Sequence, residues 1–156
     1  MKRKSQIAVI GDSNPSAEVL LWAEEVGRLV AQNDGVLICG GLSGVMAAAA
    51  RGAADAGGLT IGILPSYDAA TANGSIGVTI ATGLGHARNT LVVSSGDAVI
   101  ALPGSYGTLS EVALALTLGK PVIGVNAWAD VRGVEATDSP AAAVALAFAA
   151  AHRFQR

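Results

Sequence analysis

The sequence predicts an α/β fold, a doubly wound parallel sheet with helices on both faces, in three layers. Three observations lead to it. Short apolar runs of β character alternate with segments of helical period along the chain. Glycine-rich turns follow strands and open helices. The chain has 156 residues, 51% hydrophobic and 14% charged. That is enough for one buried core, so residues 1–156 are expected to form a single domain, and too apolar for a disordered chain. Aromatics make up only 4% against 20 glycines. Core volume must therefore come from Ala, Val, Leu and Ile, with backbones packed close.

The elements follow in order. Residues 6–10 read as a strand ending at Gly11. Pro15 suits the first position of a helix over 16–32, with Asn14 or Ser13 as cap. In it Val19, Ala23, Val26 and Val30 recur at helical spacing, and Glu24 and Arg28 are four apart on the wet side. Residues 36–39 form the second strand. The helix over 45–56 is built almost wholly of small residues, which suits close approach to a sheet or to another subunit, and Gly57-Gly58 stops it. A strand over 60–64, a loop over 65–75 and a weaker strand over 76–81 precede a helix over 86–95. A strand over 97–102 leads into Pro103-Gly104-Ser105-Tyr106-Gly107-Thr108 and a helix ending at Leu118. The last strand is expected over 121–125, irregular chain over 126–138, and a final helix capped by Ser139 with Pro140 in its first turn.

Composition excludes several classes. The formal net charge of −2 and the lack of clustered basic residues beyond Met1-Lys2-Arg3-Lys4 argue against nucleic-acid binding. That basic start reads as a solvated approach to the first strand. Cys39 is the only cysteine, so a disulfide scaffold is excluded, and it reads as a small buried residue at a strand end. No secretory h-region follows the basic start. The longest wholly apolar run, 141–151, is too short for a bilayer, which needs roughly 20 residues. The expectation is a soluble cytoplasmic protein with no membrane partner. No His/Cys/Asp cluster has metal-site spacing.

The ligand loops narrow the chemistry. The first strand–helix turn, Gly11-Asp12-Ser13-Asn14-Pro15, lacks G-x-G-x-x-G, and no stretch reads as a Walker A loop. Two other junctions are glycine-rich: Gly40-Gly41-x-x-Gly44, and Gly104-Ser105-Tyr106-Gly107-Thr108 after Pro103. Free backbone N–H groups at a helix N-terminus suit an anion, and glycine lets a phosphate approach. Glycines there also simply permit tight turns. Thr108-Leu109-Ser110-Glu111 fits a capping box, with Glu111 reaching back to the cap N–H. The same carboxylate also stands beside the loop, facing a sugar or a water. Arg88 falls in a helix first turn, where a cation opposes the macrodipole by roughly 0.3–1 kcal/mol. A bound anion or Glu111 would compensate it, unless it is solvated or structurally paired. His86 and Asn89 flank it. Asp12 and Ser13, at another strand end, fit either a pocket wall or a turn.

Three of these stretches occur together and in order: Gly40-Gly41-Leu42-Ser43-Gly44-Val45-Met46, Gly85-His86-Ala87-Arg88-Asn89, and Ala101-Leu102-Pro103-Gly104-Ser105-Tyr106-Gly107-Thr108-Leu109-Ser110-Glu111. Together they resemble the Lonely Guy (LOG) superfamily, once labelled lysine decarboxylase-like. The chain is most similar to its short bacterial branch, which includes molybdenum-cofactor carrier-like proteins. The resemblance implies hydrolysis of the N-glycosidic bond of a nucleoside 5′-monophosphate, giving base and ribose 5-phosphate. It places the catalytic pair at Arg88 and Glu111 and the phosphate grip at residues 104–108, with no cofactor required. It also implies a homodimer with sites near the interface. In this sequence Ser105 replaces the second glycine of the P-G-G motif, and Asn89 replaces the lysine usual after the arginine. The Arg-Asn pair looks like the carrier branch, for which the ligand is a phosphorylated pterin such as molybdenum cofactor, bound without turnover. The DNA-processing protein DprA is a more distant relative, and neither length nor charge supports DNA handling. A Rossmann-like oligomer binding only stray phosphate is the plainest alternative. The small-residue helix at 45–56 and the apolar helix at 109–118 predict a homodimer or higher assembly.

Overall fold

The computed structural model describes residues 2–154. The expected α/β architecture is present. Seven parallel strands form one sheet in the order β4-β3-β2-β1-β5-β6-β7. They are β1 (Gln6–Ile10), β2 (Val36–Cys39), β3 (Leu59–Leu64), β4 (Val78–Ala81), β5 (Ala98–Ala101), β6 (Val122–Val125) and β7 (Val134–Thr137). The chain winds outward from β1 to β4, returns to lay β5 beside β1, and winds outward again. Ile7 pairs with Val36's neighbour Leu37 on one side and with Ala98 on the other. Strand order therefore reverses between β1 and β5, which opens a crevice above their carboxyl ends.

Helices cover both faces. Helices α1 (Ala17–Gln32), α2 (Val45–Asp55) and α5 (Pro140–Phe154) enclose a core with Ile7, Val9, Leu37 and Ile100. Helices α3 (Arg88–Ser95) and α4 (Tyr106–Thr117) cover the opposite face, with Ala8, Ile10, Ile38 and Val99. Alternate residues of β1 thus feed opposite cores, as a sheet buried on both sides requires.

Some local expectations change. The cap of α1 is Ser16, whose hydroxyl accepts from Val19 N–H at 3.3 Å. Asp12 draws Asn14 N–H to its own Oδ1 at 3.0 Å, so the turn uses neither Ser13 nor Asn14 as cap, and Pro15 lies outside the helix. Ser139 does cap α5, accepting from Ala142 N–H at 3.1 Å. Glu24 and Arg28 do not pair. Arg28 Nε bonds Glu25 at 2.8 Å, and Glu24 takes Arg51 from α2 at 2.8 Å. The segment 126–138 is not wholly irregular: it carries β7, an edge strand in register with β6.

The small residues of α2 serve a contact within the chain. A Cβ on Gly52 would lie 1.9 Å from Glu24 O of α1, and one on Gly27 of α1 would lie 1.9 Å from Ala49 O. The two helices touch backbone to backbone there.

Candidate active site

The β1 turn joins the loops of the crevice. Asp12 N–H donates to Pro103 O at 3.1 Å, and Asp12 O accepts from Val45 N–H at 2.9 Å. Gly11 makes room for this. A Cβ on it would lie 2.6 Å from Val45 Cγ2. Asp12 thereby holds the start of α2 and the turn after β5 at a fixed separation.

Arg88 is buried behind that turn, 7% exposed. A single 3-10 turn, Gly85–Ala87, delivers it to the start of α3. Its Nε donates to Ile63 O at 2.8 Å and Nη2 to Gly40 O at 3.2 Å. Nη1 donates to Asn89 Oδ1. Gly40 has no side chain where the guanidinium lies, since a Cβ would stand 2.7 Å from Nη2. A guanidinium has five N–H donors, and these bonds leave two uncommitted. The carbonyl ends of β2 and β3 thus answer the question of what compensates a cation in a helix first turn. Burial nevertheless lowers the Arg88 pKa, while the field of Glu111 pulls it up.

Glu111 is not a capping residue. Helix α4 starts at Tyr106, with Ser105 as its cap. Thr108 is therefore already inside the helix, and Glu111 lies too far along it to reach the cap N–H. Its side chain is buried, 9% exposed, and accepts no hydrogen bond among the described residues. Burial pushes its carboxyl up to about 7, against the pull of Arg88. Cys39, behind the pair, is raised to about 11 by burial. A carboxyl that changes charge near neutrality and faces a fixed cation can accept or donate a proton at that pH.

The start of α4 supplies the anion-binding element. The first intrahelical bond is Leu109 N–H to Ser105 O at 2.9 Å. The amides of Tyr106, Gly107 and Thr108 precede it, and the Ser105 hydroxyl does not cap them. Ser105 sits at φ −106°, so a side chain is accommodated there without strain.

These groups line one cleft of about 140 Å³, formed by Asp12, Ser13, Gly40, Arg88, Asn89, Ser105, Gly107, Thr108 and Glu111. Others from the sequence reading lie elsewhere. Gly41 and Gly44 adopt φ of +76° and +68°. The first packs on Leu64 and the second on Asp12 and Ser13, so both act as tight-turn residues. Gly104 packs on Thr108. Tyr106 is 88% exposed, and His86 is exposed and outside the lining. Sequence reasoning missed Val9, Ile10, Gly11 and Met46 among the lining residues. Met46 was visible only as part of a motif, and Gly11 only as a strand-end glycine. Among the described residues no group of His, Cys, Asp and Glu is arranged to hold a metal ion, and no helix is long and apolar enough to cross a membrane.

Fold and cleft together define a Rossmann-like α/β protein with a guanidinium–carboxyl pair beside a helix N-terminus at the switch in strand order. Comparison with known proteins makes this specific. Residues 4–152 match the SLOG cluster4 family, and the chain belongs to that LOG-like family. The solved molybdenum cofactor binding protein of the phototrophic bacterium Rippkaea orientalis is 39% identical, with a TM-score of 0.90 over 96% of this chain and 98% of that one. The molybdenum cofactor carrier protein of Chlamydomonas reinhardtii is 33% identical, with a TM-score of 0.85 over 94% of this chain and 98% of that one. A cytokinin riboside 5′-monophosphate phosphoribohydrolase of Mycobacterium tuberculosis is 33% identical over 143 residues, covering 83% of this chain and 75% of that protein.

Proposed function

We propose that the protein hydrolyses the N-glycosidic bond of a nucleoside 5′-monophosphate. The observation that carries this is Glu111, a largely buried carboxyl whose oxygens open only to the cleft, raised to about 7 by burial and set against the field of Arg88. Such a group is costly to bury and serves no cap, which is the pattern of a reacting group. The free amides of Tyr106, Gly107 and Thr108 receive the 5′-phosphate. The bond from ribose C1′ to the base nitrogen breaks, and its electron pair leaves with the base. The Glu111 carboxylate stabilises the positive charge that develops on the sugar. Water oxygen bonds C1′, and its proton passes to the carboxylate and on to the departed base nitrogen. Arg88 holds the phosphate or the leaving base through its remaining N–H groups.

The test is incubation of the purified protein with AMP and other nucleoside monophosphates, with free base as the readout. Release by the wild type and not by E111A supports the reading. Release no greater than that of E111A, across all nucleotides tried, removes it.

A second reading is favoured by Asn89 and by the whole-length likeness to molybdenum cofactor binding and carrier proteins. In it the same phosphate seat holds a phosphorylated pterin without turnover. A neutral amide at Asn89, bonded to Arg88, leaves the cleft with one cation fewer than a lysine would. Calorimetric titration with molybdenum cofactor and with AMP separates the two readings. Binding without base release selects the carrier, and absent pterin binding rejects it. In either case Leu91, Leu109 and Leu118, all exposed, are proposed to be covered in a homodimer or larger assembly. A monomeric mass by light scattering at micromolar concentration would refute that.

A further inference from the structure

Trp128 lies outside the residues that line the cleft. It lies in the turn after β6 with φ +66°, a left-handed conformation that large L side chains rarely adopt. Its neighbour Asn126 is also left-handed, at φ +49°, but asparagine tolerates that region and tryptophan does not. A strained backbone persists only where its surroundings over-determine it, and such residues gather at functional sites. What holds Trp128 is visible. Its ring packs on the core beneath α3 and α4. Its indole N–H donates to Leu102 O at 2.9 Å. The turn itself is pressed onto β6, where a Cβ on Gly124 would lie 2.3 Å from Ala127 O.

The acceptor explains the arrangement. Leu102 is the residue after β5 and the root of the 103–108 turn. Its N–H donates to Ile10 O at 2.9 Å, and the next carbonyl, Pro103 O, accepts from Asp12 N–H at 3.1 Å. Those two bonds tie the turn to β1 on one side. The indole bond ties it on the other side, toward β6, and is the side-chain member of the set. Residues 105–108 then carry the free amides of α4.

We propose that Trp128 is a positioning residue for the phosphate seat: by fixing the Leu102 carbonyl from the β6 side, it sets where the amides of Tyr106, Gly107 and Thr108 meet the phosphate ester. The inference rests on the reading of those amides as the phosphate site, and it holds for a nucleotide or a pterin ligand alike.

The test compares the wild type with W128F, which keeps an aromatic ring and loses the donor. Ribose 5-phosphate and AMP are the probes, titrated by calorimetry, with thermal melts run in parallel. Losing one positioning hydrogen bond is expected to weaken both ligands about tenfold. A merely structural residue would lower Tm and leave the Kd of the folded protein unchanged, so a W128F Kd within twofold of wild type overturns the proposal. W22F leaves Trp128 as the sole tryptophan, and its emission is expected to shift as ribose 5-phosphate saturates. Should W128F fail to fold, an unchanged W22F emission at saturation overturns the proposal. A wild type that binds neither probe removes the phosphate reading and this role with it. A wild type that binds while W128F binds equally removes the role of Trp128 alone.

Discussion

Replacing Glu111 by glutamine should make the protein more stable, and only at high pH. The carboxyl is raised by burial from an ordinary 4.5 to about 7. Below about 4.5 it is protonated in both the folded and the unfolded chain, and its charge costs nothing. Between those values the folded chain holds the proton more tightly, so stability falls as pH rises. Above about 7 the folded protein carries the full penalty of a buried charge. At about 1.4 kcal/mol for each tenfold change, the span corresponds to about 3 kcal/mol. The favourable field of Arg88 is already contained in that value, so no second correction applies. E111Q has no charge to bury. It should match the wild type near pH 4.5 and exceed it by about 3 kcal/mol at pH 8, which for a chain of this size is roughly 6–12 °C in Tm. The assay is a series of thermal melts of both proteins from pH 4.5 to 8.5, without ligand. A difference that stays flat across the series, or an E111Q protein less stable at pH 8, would refute the account of Glu111 as a carboxyl raised by burial. Base release should run the other way. It needs the carboxylate, so wild-type turnover should rise through about pH 7, and E111Q should show none.

Other perturbations separate site from scaffold. R88M removes the donor to Ile63 O and Gly40 O and should cost about 1–3 kcal/mol by denaturant titration. It also removes the field that lowers the Glu111 pKa, so the pH-dependent loss of stability should still begin near 4.5 but extend to higher pH and grow larger. G107A should leave Tm unchanged or slightly raised, because a Cβ there meets nothing within 4 Å and alanine favours a helix. Gly107 lines the cleft, however, and AMP should bind more weakly by calorimetry. G52A should fail outright, since its Cβ would meet the Glu24 carbonyl at 1.9 Å. A loss of about 3 kcal/mol or more is expected, read as insoluble protein or a collapsed Tm.

Much of the fold was legible because its signals are local. The runs at 7–10, 36–39 and 98–102 are continuously apolar, as strands buried on both faces must be. β7 was not, because Val134-Glu135-Ala136-Thr137 is an exposed edge strand defined only by its pairing with β6. The Glu24–Arg28 pairing failed for a tertiary reason: Arg51 arrives from α2 and takes Glu24. The capping box at Thr108 was a true sequence pattern at the wrong register, because the helix begins at Tyr106. That error mattered, since it made Glu111 look structurally occupied. Within the site, Arg88, Glu111 and the turn residues Ser105, Gly107 and Thr108 were legible from residue type and order. Gly11 and Met46 were not, because only the approach of α2 to the β1 turn brings them to the cleft.

The charges in the cleft constrain how it can work. Among the described residues lining it, Arg88 is the only cation, and Asp12 and Glu111 are acids. A phosphate dianion gains little from such a set of side chains. On the proposed reading its seat must therefore be the amides of α4, whose partial positive charge does not depend on pH. Arg88 is then left to support the leaving base with its two remaining N–H groups. With three of its donors held by Ile63, Gly40 and Asn89, it cannot swing toward a ligand as a surface arginine would. It acts as a fixed charge that keeps the buried Glu111 from rising beyond the neutral range. A phosphate seated nearby pushes the other way and favours the protonated carboxyl. The ligand and the proton are thus coupled through one side chain. On the proposed reading Arg88 must outweigh the phosphate and keep Glu111 ionised while the glycosidic bond breaks, which is what a cation held in place by backbone carbonyls can do.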